Sequence, residues 1–228
     1  MTAALAHAAT PTRRIRPDLA LIAEMIAAKS RVLDVGCGDG ALLDHLWHAK
    51  NVDGRGLELR QDRVRECVAH GLSVIQGDAE TDLANYPSEA FDYAVLGQTL
   101  QAMRNPREVL LQLGRIGGRT IVSILNYGNW RIRWRLLISG HMPVQDAPAH
   151  RWYDTDNIHP CTLHDFVNLC DELGLRIERG ILVGSAGKPR ELHHPGWYAN
   201  MFGEQGIFLL TRGGHNGAQR PQGGHGPR

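Results

Sequence analysis

Val32-Leu-Asp-Val-Gly-Cys-Gly-Asp-Gly40 decides how this chain is read. A short apolar strand ends at Asp34-Val35, Gly36, Gly38 and Gly40 follow at alternate positions, and a helical pattern starts at Ala41. Glycines in such a turn allow positive φ angles and let a ligand approach the backbone. The helix that follows points free amides and the positive end of its dipole at an anionic group. Strand, glycine turn and helix in this order form a ligand-binding corner of an open α/β sheet.

Two ligand classes use such a corner. Gly36, Gly38 and Ala41 satisfy the spacing G-x-G-x-x-A of dinucleotide sites. Asp34 argues against that reading, because a carboxylate beside a pyrophosphate repels it. A ligand carrying both an ammonium and a carboxylate fits better, and the methionine end of S-adenosylmethionine is one. Asp34 then faces the amine, directly or through water, and the Gly36 and Gly38 amides meet the carboxylate. Gly40 completes the turn.

Further along, each strand end brings another polar residue. Glu58 closes the second strand, where a carboxylate can accept both hydroxyls of a ribose. Dinucleotide sites use that position too, so it does not discriminate. Asp78 and Ala79 follow the third strand, and they can take an adenine amino proton and donate an amide to the ring. Gln98 follows the fourth strand, beside the expected place of the sulfonium. The third acid favours S-adenosylmethionine or its product S-adenosylhomocysteine over a dinucleotide.

Around these motifs the apolar period switches repeatedly between helix and strand. Residues 19–26, 41–48, 62–69 and 106–113 read as helices, and 31–35, 52–59, 72–76, 91–96 and 118–125 as strands. Residues 126–161 break the rhythm with Trp130, Trp134, Trp152, several arginines and three prolines, and 130–138 read as a helix. A capping-box start at Thr162 opens a helix to about Glu172, stopped by Gly174. Residues 176–184 and 206–211 supply the last strands, a closing antiparallel pair. The expectation is a single Rossmann-like class I methyltransferase fold, a mainly parallel seven-stranded sheet with an antiparallel last strand. The domain should occupy 16–212, with 126–161 as an insertion, a flexible N-terminus over 1–15 and a disordered Gly-rich tail over 213–228.

The 228 residues are 43% apolar and 21% charged, as in a globular protein, and the net charge of +1 gives no global field for nucleic acid or an anionic membrane. No apolar run approaches the roughly 18–20 residues that span a bilayer, and no signal peptide is evident. Cys37, Cys67, Cys161 and Cys170 are scattered without a CxxC pair, so they read as reduced thiols of a cytoplasmic protein. His193-His194 has no third ligand at a metal-site spacing, so no metal is expected.

Residues after the cofactor motifs carry a more specific likeness. Asn126-Tyr-Gly-Asn-Trp-Arg131, Gly140-His-Met-Pro-Val144, Trp152-Tyr-Asp-Thr-Asp-Asn-Ile-His-Pro-Cys-Thr162 and Leu163-His-Asp-Phe166 resemble the methionine biosynthesis protein MetW family. Asn129, His141 and Asp156 stand where that family is expected to carry His, Arg and Pro. The resemblance implies a protein that partners with a homoserine O-acetyl- or succinyltransferase of the MetX type and activates or regulates it. The alternative is a methyltransferase acting on a small molecule. The segment Leu96-Gly-Gln-Thr-Leu-Gln101 lacks an Asn-Pro-Pro-Tyr-like motif, which disfavours nucleic-acid bases as acceptors. His141, His150, His159 and His164 are the candidates for a base, with His159 in the motif-dense segment the foremost. The Trp/Arg-rich stretch from Asn126 to Tyr153 reads as a lid, a partner interface or a satellite core.

Overall fold

A computed structural model describes residues 15–144, 151–184, 189–192 and 196–213. Of the expected flexible ends over 1–15 and 213–228, all but Ile15 and Gly213 lie outside the described residues, as do His150 and His193-His194. The strands are β1 (Arg31–Val35), β2 (Asp53–Glu58), β3 (Val74–Gln76), β4 (Phe91–Gly97), β5 (Gly117–Leu125), β6 (Leu175–Val183), β7 (Pro189–Leu192) and β8 (Gln205–Arg212). The helices are α1 (Pro17–Met25), α2 (Ala41–Lys50), α3 (Gln61–Ala69), α4 (Ala79–Asp82), α5 (Pro106–Ile116), α6 (Trp130–Ser139), α7 (Leu163–Glu172) and α8 (Trp197–Phe202).

The sheet runs β3-β2-β1-β4-β5-β8-β6-β7. β1 pairs in parallel with both β2 and β4, so the winding reverses between β1 and β4. The crevice of an open α/β sheet forms beyond the carboxyl ends of strands at such a switch point. β8 inserts antiparallel between β5 and β6, which is the closing pair expected from the sequence.

The sheet has eight strands, where seven are expected. The extra strand, β7, pairs antiparallel with β6 at the edge, Gly180 opposite Leu192 and Val183 opposite Pro189. Pro189-Arg-Glu-Leu192 is mostly exposed and opens on a proline, so it carries no apolar alternation by which to read it. Proline is tolerated there because β7 is an edge strand and needs no donor at that position.

Alternation along β1 sorts its side chains onto two cores. Leu33 and Val35 pack with Val109, Leu113, Phe166 and Phe208 under α5 and α7. Val32 packs on the other face with Ile22, Ile26, Leu42 and Leu46 under α1 and α2. Asp34 shares the Val32 face because side chains alternate along a strand. It therefore ends the strand beneath the start of α1.

The insertion is anchored by one buried amide. Asn126, 0% exposed, follows β5. Its Nδ2 donates to the carbonyls of Asn200 and Gly203, both at 2.8 Å. Its Oδ1 accepts from the amides of Gly128 at 2.9 Å and Leu163 at 3.2 Å. One side chain thus joins the end of β5, the start of α7 and the C-terminal end of α8. Asn129 caps α6, accepting from the Arg131 amide at 2.9 Å and donating to the Gly203 carbonyl at 3.0 Å. At the start of α7 both halves of the Thr162–Asp165 capping box form.

Asn126→Ala leaves two buried carbonyls without this donor and withdraws an acceptor from two buried amides. It should lower unfolding free energy by about 2–4 kcal/mol, read from the urea midpoint. An unchanged midpoint would show that the corner is held by other contacts.

Candidate functional site

The chain leaves β1 at Val35, one residue past Asp34, and turns through Gly36, Cys37, Gly38 and Asp39 into α2. A cavity of about 370 Å³ lies there, lined by Arg16, Leu19, Asp34, Gly36, Cys37, Gly38, Asp39, Arg63 and Gly97 among others. It lies at the switch point between β1 and β4, and the first residues of α1 form part of its wall.

Gly36 sits at φ +71, and a Cβ there would come within 2.8 Å of the Thr99 side chain, so the turn and the segment after β4 touch directly. Gly38, at φ +55, would place a Cβ in open space. Gly40 does not line the cavity. It caps the N-terminus of α2 in a left-handed conformation, with Leu72 and Cys67 packed against it.

The loop amides are arranged differently from the sequence expectation. The Gly36 amide donates to the Leu57 carbonyl at 2.7 Å, and the Gly38 amide donates to Glu58 Oε2 at 2.8 Å. Both amides are therefore engaged within the protein, and neither is held open for a ligand carboxylate. Glu58 Oε1 accepts from the Arg60 amide at 2.9 Å. Each Glu58 oxygen keeps a second lone pair, so the residue can brace the loop and still accept a hydroxyl.

Asp34 is the exception in this well-bonded loop. It is 4% exposed and, among the described residues, has no hydrogen-bond or ion-pair partner. Burial pushes its carboxyl up to about 7, the neighbouring Glu58 carboxylate adds to the rise, Arg16 opposes it and Asp39 adds a little more. A buried carboxyl of this kind is stabilised by a cation brought in from outside, such as an ammonium. Cys37, on the same wall, is held protonated because burial pushes its thiol up, followed by the charge of Asp34. It is not a nucleophile in that state.

The remaining expected residues are dispersed around this centre. Asp78 caps α4, accepting from the Glu80 amide at 2.9 Å, with Ala79 opening the helix beyond β3. Gln98 is a non-glycine residue at φ +57, pinned by amide bonds to Ser123 Oγ at 2.9 Å and to its carbonyl at 3.2 Å. Its side chain turns to Asp18 Oδ2 at 3.0 Å. Gly97, not Gln98, lines the cavity.

His159 lies outside this cavity. It lines a separate one of about 110 Å³ with Leu100, Gln101, Cys161 and Phe166 among others. Its ring meets the Arg104 carbonyl at 3.2 Å and its amide donates to the Gln101 carbonyl at 2.9 Å. Arg16, Asp39 and Arg63 on the cavity wall, and Asp18 bonded to Arg16, are the neighbours that sequence reasoning missed. Arg16 and Asp18 precede or open a helix with no motif of its own, and Asp18 meets Gln98 across 80 positions of sequence.

Among the described residues no helix is long and apolar enough to cross a membrane, and no group of three His, Cys, Asp or Glu could hold a metal ion. The four cysteines are free.

Comparison with known proteins agrees with this architecture. The model of the family described as methionine biosynthesis protein MetW matches residues 16–210. A bifunctional methionine biosynthesis protein MetXA/MetW of Rhodopirellula baltica is 30% identical over 187 residues, which is 77% of this chain and 30% of the relative. The chain thus spans less than a third of that relative's length. Among solved structures, a SAM-dependent methyltransferase of Thermotoga maritima superposes with a TM-score of 0.61 at 16% identity, covering 86% of this chain and 87% of the other. The cyclase SpnF superposes with a TM-score of 0.60 at 18% identity, covering 86% and 80%. At these identities the likeness is one of fold, and the fold serves more than one chemistry.

In the unfolded chain the Asp34 carboxyl ionises near its ordinary 3.8, and in the folded chain near 7. Between those values only the folded state keeps the proton, so this residue lowers stability as pH rises from about 4 to about 7, with a constant cost above. Asp34→Asn removes the ionisation. It should exceed the wild type in unfolding free energy at pH 8 by up to about 4 kcal/mol, with the gap closing toward pH 4. Parallel stability–pH curves for the two proteins would contradict this assignment.

Proposed function

The chain belongs to the MetW family of methionine biosynthesis proteins, and from that membership we propose that it binds S-adenosylmethionine or S-adenosylhomocysteine and docks on a MetX-type homoserine O-acyltransferase of the cytoplasm, activating or regulating it. The observation that carries the cofactor half is the unpartnered Asp34 carboxyl at the switch-point cavity. An α-amino group satisfies it, Glu58 accepts ribose hydroxyls with its remaining lone pairs, and Asp78 and Ala79 face the adenine. When bound, S-adenosylmethionine supplies an electrophilic methyl group on a sulfonium. The chain's own residues bind and orient.

The partner half rests on α6. None of its residues is buried, and Trp134 and Leu137 are 58% and 76% exposed. That removes the satellite-core reading of this helix. Trp130, Trp134, Leu137 and Arg133 form an apolar groove of about 390 Å³ with Met201 of α8. Beside it α8 exposes Trp197 and Tyr198, which the sequence reading passed over. Exposed apolar surface rimmed by charge marks protein contact sites, and Trp, Tyr and Arg are its common anchors.

The helix carries Arg131, Arg133 and Arg135 and no acid in its sequence. Arg131 and Arg135, four apart, share one face of the helix, and Arg131 already meets Glu204 at 3.3 Å. A two-fold contact that set this face against its copy would oppose like charges, so an acidic partner face fits better. The occupant we assign is the acyltransferase, since one relative is a single chain described as MetXA/MetW. Methyl transfer to a small molecule has less to stand on. Among the described residues the cavity wall offers no histidine, lysine or tyrosine as a base, and its cysteine is held protonated.

Mixed with the homoserine O-acyltransferase of its own organism, the chain should co-elute on a sizing column and change the acylation rate. Trp134→Glu and Leu137→Glu should abolish both effects while leaving the melting temperature within a degree or two, because these side chains are solvated. Absence of a complex, with no effect on acylation, would overturn the partner reading. Self-association lost in the same variants would assign the face to a second copy. S-adenosylhomocysteine should raise the melting temperature of the chain alone. Its affinity should fall as pH drops through about 7, where Asp34 takes up a proton and no longer attracts an ammonium.

A further inference from the structure

An α-amino acid carries its ammonium and its carboxylate on one carbon, so the group that holds the carboxylate must stand close to the one that holds the amine. Asp34 is the unpartnered acid of the cavity. The loop amides are not the counterpart, because those of Gly36 and Gly38 donate to Leu57 and Glu58. The Gly40 amide donates to the Cys37 carbonyl at 2.9 Å, and the Ala41 amide to Asp39 Oδ1 at 3.1 Å. Among the described residues the cations on the cavity wall are Arg16 and Arg63. Arg63 is tied to Glu66 on its own helix at 3.0 Å. Of the two, Arg16 is the one whose charge reaches Asp34.

Arg16 stands just before α1, its side chain 56% exposed, with one nitrogen on Asp18 Oδ2 at 3.0 Å. A guanidinium has five donors in a planar fork, so four N–H groups remain for a second carboxylate. Asp18 is buried and its Oδ2 also accepts from Gln98 Nε2 at 3.0 Å. The arginine is thus aimed by an acid that is itself braced against the strained residue after β4.

We propose that Arg16 is the carboxylate-binding residue of this site, that Asp18 positions it, and that Arg16 and Asp34 together select a ligand with an intact amino-acid end. The inference rests on the cofactor reading above and adds the group that this reading lacks. Its consequence is discrimination against nucleosides that have lost the amino acid.

Isothermal titration of the full chain with S-adenosylhomocysteine and with 5′-methylthioadenosine, which lacks the amino acid, tests this directly. Arg16→Met should weaken S-adenosylhomocysteine binding about 10- to 100-fold, the range of a charge-assisted hydrogen bond, and leave 5′-methylthioadenosine unchanged. Arg16→Lys should recover part of the loss through its point charge. Asp18→Asn should give an intermediate loss on the same ligand only, and Arg63→Met none. Wild-type affinity for S-adenosylhomocysteine in Arg16→Met, equal losses on both ligands, or a selective loss in Arg63→Met would each overturn the assignment and leave the cofactor reading standing. A wild-type chain that binds neither ligand would overturn the cofactor reading and this inference with it. Since Arg16 is largely solvated, thermal melting of the two Arg16 variants should match the wild type, which separates lost binding from lost folding.

Discussion

Burying the Asp34 carboxyl at the end of β1 without a partner costs the folded state free energy, and the surrounding elements are arranged about that cost. β1 must end at the switch point for Asp34 to reach the crevice. The pleat must put Asp34 on the α1/α2 face, where Arg16 opposes the rise in its affinity for a proton. Glu58 sharpens the penalty, because a second acid nearby makes ionisation harder still. A stable enzyme core would place a hydrophobic residue or a satisfied amide here. Stability lost at a site in this way is characteristic of positions kept for a ligand.

The glycine turn serves that arrangement by holding its shape rather than by offering its amides. Glu58 reaches from the end of β2 to the Gly38 amide, and the Leu57 carbonyl takes the Gly36 amide. Thr99 packs so closely on Gly36 that a side chain there would collide with it. The loop is thereby locked between β2 and the segment after β4. Preorganisation of this kind lowers the ordering cost of binding. It also leaves the Gly36 and Gly38 amides engaged within the protein rather than open to an anion.

The second half of the chain divides into a corner and a face. Asn126 and Asn129 are structural, since their amide groups close the corner among β5, α6, α7 and α8. The aromatic and arginine residues that follow are left on the outside, with Met201 completing a groove. The segments after β5 therefore play two physical parts. Some hold the insertion against the sheet, and others are the surface it displays.

Periodicity and the glycine spacing determined the α/β class, the strand–turn–helix corner and the acids at the strand ends, because these depend on neighbours within a few residues. The capping box at Thr162 and the stop at Gly174 were legible for the same reason. The edge strand β7 was not, because pairing with β6 and not apolar alternation makes it a strand. Nor was the use of the loop amides, which depends on Leu57 and Glu58 arriving beside the turn. Only the folded chain carries Arg16 and Asp18 to the mouth of the cavity, leaves Asp34 unpartnered, and sends His159 elsewhere. Such facts depend on contacts between residues distant in sequence, which no local pattern encodes.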